Sequence, residues 1–587
     1  MIRKSFHTAF VAALLLCLAS CATSPAPAGV AAPPALVTLS IVGTNDLHGG
    51  ILPRDGRGGL ALLGGYLKNL RDSRARDGGA VLLIDAGDMF QGTLESNLTE
   101  GASVVAAYNA LGYSAAAVGN HEFDFGPTGP AATPRSPSDD PRGALKARAM
   151  EATFPFLAAN LLEAASGRPV EWTNVKPTTL VEAGGVKVGI IGLMTYDALT
   201  STIASNVNGL SVAPLVETIR THAAALRAQG AAAVIVTAHA GGRCSSFDRP
   251  EDPSSCESSS EIFTIARELP RGLVDVIVAG HSHAGISHRV EGIAIIESFN
   301  GGRAFGRVDL AVDRVANRVT NARIWSPRDL CTRENPNTHT CDPAAAAGTW
   351  VLAEYEGAPV TPDTAIERVL APAVERVRAM KARPIGIVLD TPIRRLAPES
   401  PLGHLMTDAL LASVPGADVA LNNTSGGLRA DLPSGALTYG GVYEVMPFDN
   451  LVVSVRLTGQ QLREVFATDL QKSRRIVGFS GIRVRAGCSG NSLDLVLMRD
   501  SGMPVKDDDV LLVVFSDFLA TGGDGILAPV IPPEGFQIPD TAPLLRDVLA
   551  EYLRGLGGHL REEQLLDAAN PRLSVAGVLP IDCSSAR

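Results

Sequence analysis

Gly119-Asn120-His121-Glu122-Phe123-Asp124 is the stretch on which the reading of this chain turns. It follows an apolar run, Tyr113 to Val118, and breaks at Gly119 into a cluster of polar and charged residues. A strand that ends this way delivers side chains to the rim of a sheet, where open α/β proteins bind ligands. Asn120 offers a neutral oxygen to a metal, and His121 with Asp124 three residues on can form an oriented acid/base pair. A single cluster of this kind is as readily a polar turn after a buried strand, so its meaning depends on whether the pattern recurs.

It recurs four times. Leu39–Val42 runs into Gly43-Thr44-Asn45-Asp46-Leu47-His48-Gly49, and Val81–Ile84 into Asp85-Ala86-Gly87-Asp88. Ala233–Val236 ends in Thr237-Ala238-His239, and Val274–Val278 ends in Ala279-Gly280-His281-Ser282-His283. Continuous apolar runs rich in β-branched residues are what strands buried on both faces look like. Leu60 to Arg76 and Pro214 to Gln229, between these runs, carry helical spacing. The first part of the chain is therefore expected to be a layered α/β domain with helices outside.

Five of the eleven histidines (His48, His121, His239, His281, His283) fall at these strand ends, beside Asp46, Asp88 and Asn120. A mixed oxygen and imidazole set suits zinc, manganese, iron or cobalt better than calcium or magnesium. The number of ligands fits two cations better than one. Such a pair, with a shared carboxylate, acidifies water and neutralises phosphoryl oxygens in displacement at phosphorus. His121 is then free to act on the transition state, oriented by Asp124.

At 587 residues the chain is too long for one ordinary core, so two large domains are expected. The net charge of -10 is dispersed, with no basic stripe, which argues against binding a nucleic-acid polymer. Thr361 to Lys381 reads as one amphipathic helix through Ile366, Val369, Leu370, Val374 and Val377, with Thr364 and Glu367 as a capping box. It is taken as the connector between domains. Pro127 to Ala147 is a Pro-, Ser- and Gly-rich insertion, expected to be an exposed loop, with a role as a lid left open.

The N terminus reads as an address. Arg3 and Lys4 precede the apolar run Ala9 to Leu18, too short to span a membrane, which leads into Leu18-Ala19-Ser20-Cys21. The last four residues resemble a bacterial lipobox, whose cysteine is lipidated. Residues 1–20 are then a lipoprotein signal peptide and 21–35 a Pro/Ala-rich tether. Ala22 after Cys21 points to the outer membrane of a Gram-negative cell, with the protein facing the periplasm or cell surface. Six cysteines remain, an even number that suits disulfides in an exported chain. Cys244 with Cys256 and Cys331 with Cys341 each bracket a short polar loop and are paired locally, which leaves Cys488 for Cys583.

Asn45-Asp46-Leu47-His48, Gly87-Asp88 with Gly92, Gly119 to Asp124 and Gly280-His281-Ser282-His283, in this order, resemble the calcineurin-like metallophosphoesterases. Two later clusters, Asn422 to Arg429 with Pro447-Phe448-Asp449-Asn450, and Asp517 to Gly525, extend the likeness. From about Leu36 to Pro580 the chain resembles the 5′-nucleotidase family, which includes UDP-sugar hydrolases. The resemblance implies a metallophosphoesterase domain at 36–350, a linker with the connecting helix at 351–382, and a separate α/β 5′-nucleotidase C-terminal domain at 383–587. It implies that Asp46, His48 and His283 hold one divalent metal (zinc, manganese, cobalt or similar), that Asn120, His239 and His281 hold the other, and that Asp88 bridges them. His121 and Asp124 match the family's catalytic pair.

In the second domain the likeness gives Arg429 to phosphate, Phe448 and Phe518 to a sandwich around the base, and Asp524 to the ribose or base. The asparagine loop is one residue longer than the family's, which leaves open which asparagine meets substrate; Asn423 is taken. Arg394 and Arg395 compete for a further phosphate-binding place, and Arg395 is preferred. The implied activity is release of phosphate from nucleoside 5′-monophosphates by metal-activated water. The alternatives are a family member acting on UDP-sugars, 2′,3′-cyclic nucleotides or a thiosulfate ester. From another class comes a non-catalytic surface binding lipoprotein, which the complete ligand set opposes.

Overall fold

Leu36–Thr44 is the strand around which the first half is laid out. It pairs in parallel with Ala80–Asp85, placing Ile41 opposite Leu82 and Thr44 opposite Asp85, and antiparallel with Ala304–Asp313. The full sheet runs Arg318–Asp329, Ala304–Asp313, Leu36–Thr44, Ala80–Asp85, Ala115–Ala117, Phe156–Leu157, Val175–Lys176. A second sheet runs Gly285–Val290, Ile293–Ser298, Val276–Ala279, Ala233–His239, Val186–Met194, Thr178–Ala183.

The computed structural model describes residues 35–584, apart from 55, 130, 342–349, 396–398, 473–476, 534 and 540–541. The signal segment, Cys21 and the tether up to residue 34 lie outside the described residues. Among the described residues no helix is long and apolar enough to cross a membrane.

The two sheets pack face to face. Leu39, Ile41 and Ile84 of the first meet Val188, Ile190, Ile235 and Val278 of the second in one buried cluster. Sheets packed this way stand about 10 Å apart. Helix Leu60–Asp77 covers the outer face of the first sheet through Leu63, Tyr66 and Leu67, and helix Leu215–Ala228 covers the second through Leu215, Ile219 and Leu226. Burial on both faces explains the continuous apolar runs. The parallel strands of both sheets end at the same rim, which is how sequence-distant histidines meet.

Two local expectations are corrected. The run Tyr113 to Val118 forms only the short strand Ala115–Ala117. Tyr113 instead stacks on Tyr108, with centroids 3.7 Å apart, and its hydroxyl lies 2.8 Å from Thr44 Oγ1. The long helix spans Thr364–Lys381, but its cap is Asp363, whose carboxylate accepts from Ala365 N at 2.8 Å. A carboxylate satisfies an orphan N–H there and also faces the positive end of the helix dipole, which a threonine does not. Ile366 and Leu370 of this helix lie in the core of the first half and Val377 in that of the second.

The second half builds on the sheet Val452–Thr458, Val510–Ser516, Val419–Asn422, Gly478–Ser480, with smaller sheets on either side. Helices Pro401–Ser413 and Leu545–Leu556 share one core, and helix Gly459–Lys472 lies in the other. Disulfides join Cys244 to Cys256 and Cys331 to Cys341, as their spacing implied, and Cys488 to Cys583, the pair that remained.

Candidate active site

The strand-end residues of both sheets converge on Asp88. Ligand atoms of Asp46, His48, Asp88 and His283 all lie within 4.8 Å of one another, and so do those of Asp88, His239 and His281. Asp88 Oδ2 stands 3.7 Å from His48 Nε2 and 3.2 Å from His239 Nε2. Asn120 joins the second group through its Oδ1, 2.9 Å from His239 Nε2.

Backbone strain marks the same residues. Among the described residues, thirteen non-glycine residues have positive φ, and Asp46, His48, Asp88, His281 and His283 are five of them. Each such conformation costs on the order of 1–3 kcal/mol and persists where surrounding structure over-determines it. Gly119 allows the turns to close in, because a Cβ there would lie 2.3 Å from Asp88 Oδ1.

The donor set fits divalent cations. His48 Nδ1 lies 2.8 Å from Gln91 O and His239 Nδ1 lies 2.9 Å from Ala86 O, so each ring donates backward and turns its Nε2 lone pair inward. Those inward nitrogens then face other acceptors or ring nitrogens: His48 Nε2 is 3.0 Å from His283 Nε2, and His239 Nε2 is 3.2 Å from His281 Nδ1. Ring nitrogens gathered in this way suit a shared cation.

The electrostatics agree. Burial works against the Asp88 charge, yet His239 and His121 hold its carboxyl well below the ordinary range. Burial likewise opposes protonation of His239, and Asp88 overrides it, lifting the ring to about 10. That proton stands where a cation's charge would. His48 is pushed well down by burial and by Arg429, and His281 falls to about 4 through burial and His239.

His121 and Asp124 form the pair their spacing implied. His121 Nδ1 lies 2.6 Å from Asp124 Oδ2, and the ring's pKa is raised because Asp124 outweighs the burial that opposes its charge. His121 N donates to Asp88 Oδ1 at 2.9 Å, which ties the pair to the ligand cluster.

A cleft opens over these groups. Asp88, Asn120, His121, Asp124, His281 and His283 line one end; Asn423, Arg429, Phe448, Phe518 and Asp524 line the other. Asp46, His48 and His239 sit buried behind it. Arg429 donates to His48 Nε2 at 2.7 Å, and its guanidinium lies 5.8 Å from the centre of the Phe448 ring. That ring lies 5.9 Å from the His121 ring. Asn423 lines the cleft and donates through Nδ2 to Asp524 Oδ2 at 3.0 Å, while Asn422 is fully buried in its strand. The Phe518 ring lies over Gly523, where a Cβ would come within 2.4 Å of it.

The arginine pair separates cleanly. Arg394 Nε donates to both carboxylate oxygens of Glu562, at 2.8 and 3.0 Å, and points away into that bridge. Arg395 donates to the carbonyl of Leu428 at 3.0 Å, one residue before Arg429, although it does not itself line the cleft. The described residues of the 127–147 insertion also stay off the cleft wall.

Several residues that support the site carried no signal of their own. Glu122 accepts from the backbone N–H groups of Asp88, Met89 and Gly119 at 2.9, 2.7 and 2.7 Å. Glu297 accepts from Ser282 Oγ at 2.6 Å and so braces the His281–His283 turn. Gln91 Nε2 and Asn97 Nδ2 both donate to Pro447 O, at 3.0 and 2.8 Å, which sets Phe448 against the first half. Thr202 Oγ1 donates to Asp124 Oδ1 at 2.8 Å. Glu122 lay inside the Gly119 to Asp124 motif and Gln91 at an unspecified position between Gly87 and Gly92; the others lay outside any motif.

Residues 39–285 match the model of the calcineurin-like phosphoesterases, and residues 384–530 match that of the 5′-nucleotidase C-terminal domain. A cell wall protein of Listeria monocytogenes is 27% identical over 574 residues, covering 90% of this chain and 68% of the relative. A 5′-nucleotidase of Vibrio cholerae is 26% identical over 543 residues, covering 88% of this chain and 90% of the relative. The crystal structure of a 5′-nucleotidase precursor from Thermus thermophilus superposes with a TM-score of 0.69 at 25% identity, covering 92% of this chain and 99% of that one. Matched in both halves and in the same order, this chain belongs to the 5′-nucleotidase family of metal-dependent phosphoester hydrolases.

Proposed function

We propose that the chain releases phosphate from nucleoside 5′-monophosphates with two divalent cations, of the zinc, manganese or cobalt kind, as cofactors. The observation that carries this reading is the single cleft that joins the ligand cluster and His121 to Arg429, Phe448, Phe518, Asn423 and Asp524. The Vibrio cholerae relative, named as a 5′-nucleotidase, supports the substrate class.

In this reading Asp46, His48 and His283 hold one cation, Asn120, His239 and His281 the other, and Asp88 serves both. When bound, the cations lower the pKa of water and neutralise charge on phosphoryl oxygens. The planar fork of Arg429 draws the phosphate, with Arg395 behind it. Phe448 and Phe518 sandwich the base, and Asn423 and Asp524 meet the sugar or the base edge. His121, held through Nδ1 by Asp124, presents Nε2 to the oxygen where charge builds as a water oxygen bonds phosphorus and the ester bond breaks. The unit that holds metal spans 36–350, the connector 351–382 and the unit that binds substrate 383–587.

The substrate test is phosphate release from AMP, UDP-glucose, a 2′,3′-cyclic nucleotide and p-nitrophenyl phosphate with manganese or zinc added. AMP should give the highest kcat/KM; a higher value for any other substrate replaces the nucleotide assignment.

The same reading makes the protein an exported lipoprotein anchored through Cys21, facing the periplasm or cell surface from the outer membrane. The cell wall relative supports export. Cys21→Ser should move the protein from the membrane fraction to the soluble one with specific activity unchanged, and unchanged membrane association contradicts the anchor.

A further inference from the structure

The segment from Thr195 to Asn206 leaves the second sheet and crosses to the turn that carries His121 and Asp124, which belongs to the first. Its start is tied to a ligand strand: Thr195 N donates to His239 O at 2.9 Å, and Thr195 Oγ1 donates to Glu261 at 2.7 Å. Its end is tied to the acid/base turn, because the fully buried Asn206 donates through Nδ2 to Phe123 O at 2.9 Å. Between these anchors, two adjacent residues reach the site. Ser201 O accepts from Asn120 Nδ2 at 2.9 Å, which turns the Asn120 oxygen toward His239. Thr202, only 3% exposed, donates through Oγ1 to Asp124 Oδ1 at 2.8 Å, and the other oxygen of Asp124 holds His121.

Asp124 is buried and would otherwise present an unpaired oxygen, which costs more than the bond it replaces is worth. With both oxygens engaged its carboxylate has one orientation, and the His121 ring inherits it. We propose that Thr202 is a positioning residue for the hydrolysis, fixing the Asp124–His121 pair relative to the ligand strand of His239, while the carbonyl of Ser201 fixes Asn120 from the same step of chain. The proposal rests on His121 and Asp124 acting as the acid/base pair. It assigns the segment after Val186–Met194 a role in registering the two sheets at the site.

The test compares Thr202→Val, Thr202→Ser and Thr202→Ala, each alone and in a His121→Ala background, for kcat and KM on AMP and for bound metal. Thr202→Val removes the donor at nearly constant volume. It should lower kcat by ~10–100-fold, the usual range for an outer-shell partner, with KM and two cations per chain retained. Thr202→Ser should restore most of the loss. In the His121→Ala background Thr202→Val should cost nothing further, since residues that act as a unit are not additive. Should Thr202→Val fail to fold, Thr202→Ala carries the same expectations. An equal loss in both backgrounds, or loss of metal, would make Thr202 merely structural and overturn the proposal. Wild-type turnover in Thr202→Val beside a slowed His121→Ala overturns it while leaving the acid/base reading intact. An unimpaired His121→Ala overturns that reading and the proposal with it.

Discussion

The Nε2 of His239 stands 2.9 Å from the amide oxygen of Asn120, and the surroundings make both atoms acceptors. The ring donates its Nδ1 proton to Ala86 O at 2.9 Å, and the amide nitrogen of Asn120 donates to Ser201 O at 2.9 Å, so neither group can turn to relieve the conflict. Only a second proton on the ring or a cation satisfies both. Binding of a cation should therefore stabilise the fold. Protein stripped by a chelator should melt at a lower temperature than protein given manganese or zinc, by about 2.7 kcal/mol at a free cation concentration 100-fold above Kd. A melting temperature that ignores added cation would contradict this.

Asp88 is the group both ligand clusters share. Asp88→Asn should leave fewer than two cations per chain and abolish hydrolysis of every substrate. His121 lies outside the clusters and is held by Asp124, so His121→Ala should keep both cations and slow turnover by ~10²–10⁴-fold, the range for a positioned acid or base. Metal content measured beside kcat decides this. Loss of a cation in His121→Ala would show that ligand and catalyst were divided wrongly.

The phenylalanines separate a nucleotidase from a general phosphatase. If Phe448 and Phe518 sandwich the base, removing either loses stacking worth ~1–3 kcal/mol. That energy belongs to a part of the substrate remote from phosphorus, so it should appear mainly in KM for AMP. For Phe448→Ala and Phe518→Ala, kcat/KM should fall roughly tenfold or more for AMP, about 1.4 kcal/mol, and less for p-nitrophenyl phosphate. Equal losses on both substrates would make the rings structural.

What the sequence alone could carry follows from the physics of each residue. Asp46, His48, His239, His281 and His283 were legible because a buried strand ending in a polar cluster has few bland explanations once it recurs. Two disulfide pairs were legible because short polar loops sit between their cysteines, and the third followed by elimination. Asp363 was not, since Thr364 three residues before Glu367 imitates a capping box, and only backbone geometry tells which residue starts the helix. The antiparallel strand Arg318–Asp329 is exposed or half-buried at all but two positions and gave no apolar run to notice. Arg394 and Arg395 are interchangeable as neighbours in sequence; Glu562, 168 residues away, separates them. Thr202, Gln91 and Glu297 act through contacts across the fold, and nothing in their local sequence distinguishes them from ordinary polar residues.

The most direct measurement for the account as a whole is phosphate release from AMP while stripped protein is titrated with manganese or zinc. Two ligand clusters meeting at Asp88 predict that the stripped protein is inactive and that turnover rises with added cation to a plateau at two equivalents per chain. Full activity in the stripped protein, or a plateau at one equivalent, would contradict the account.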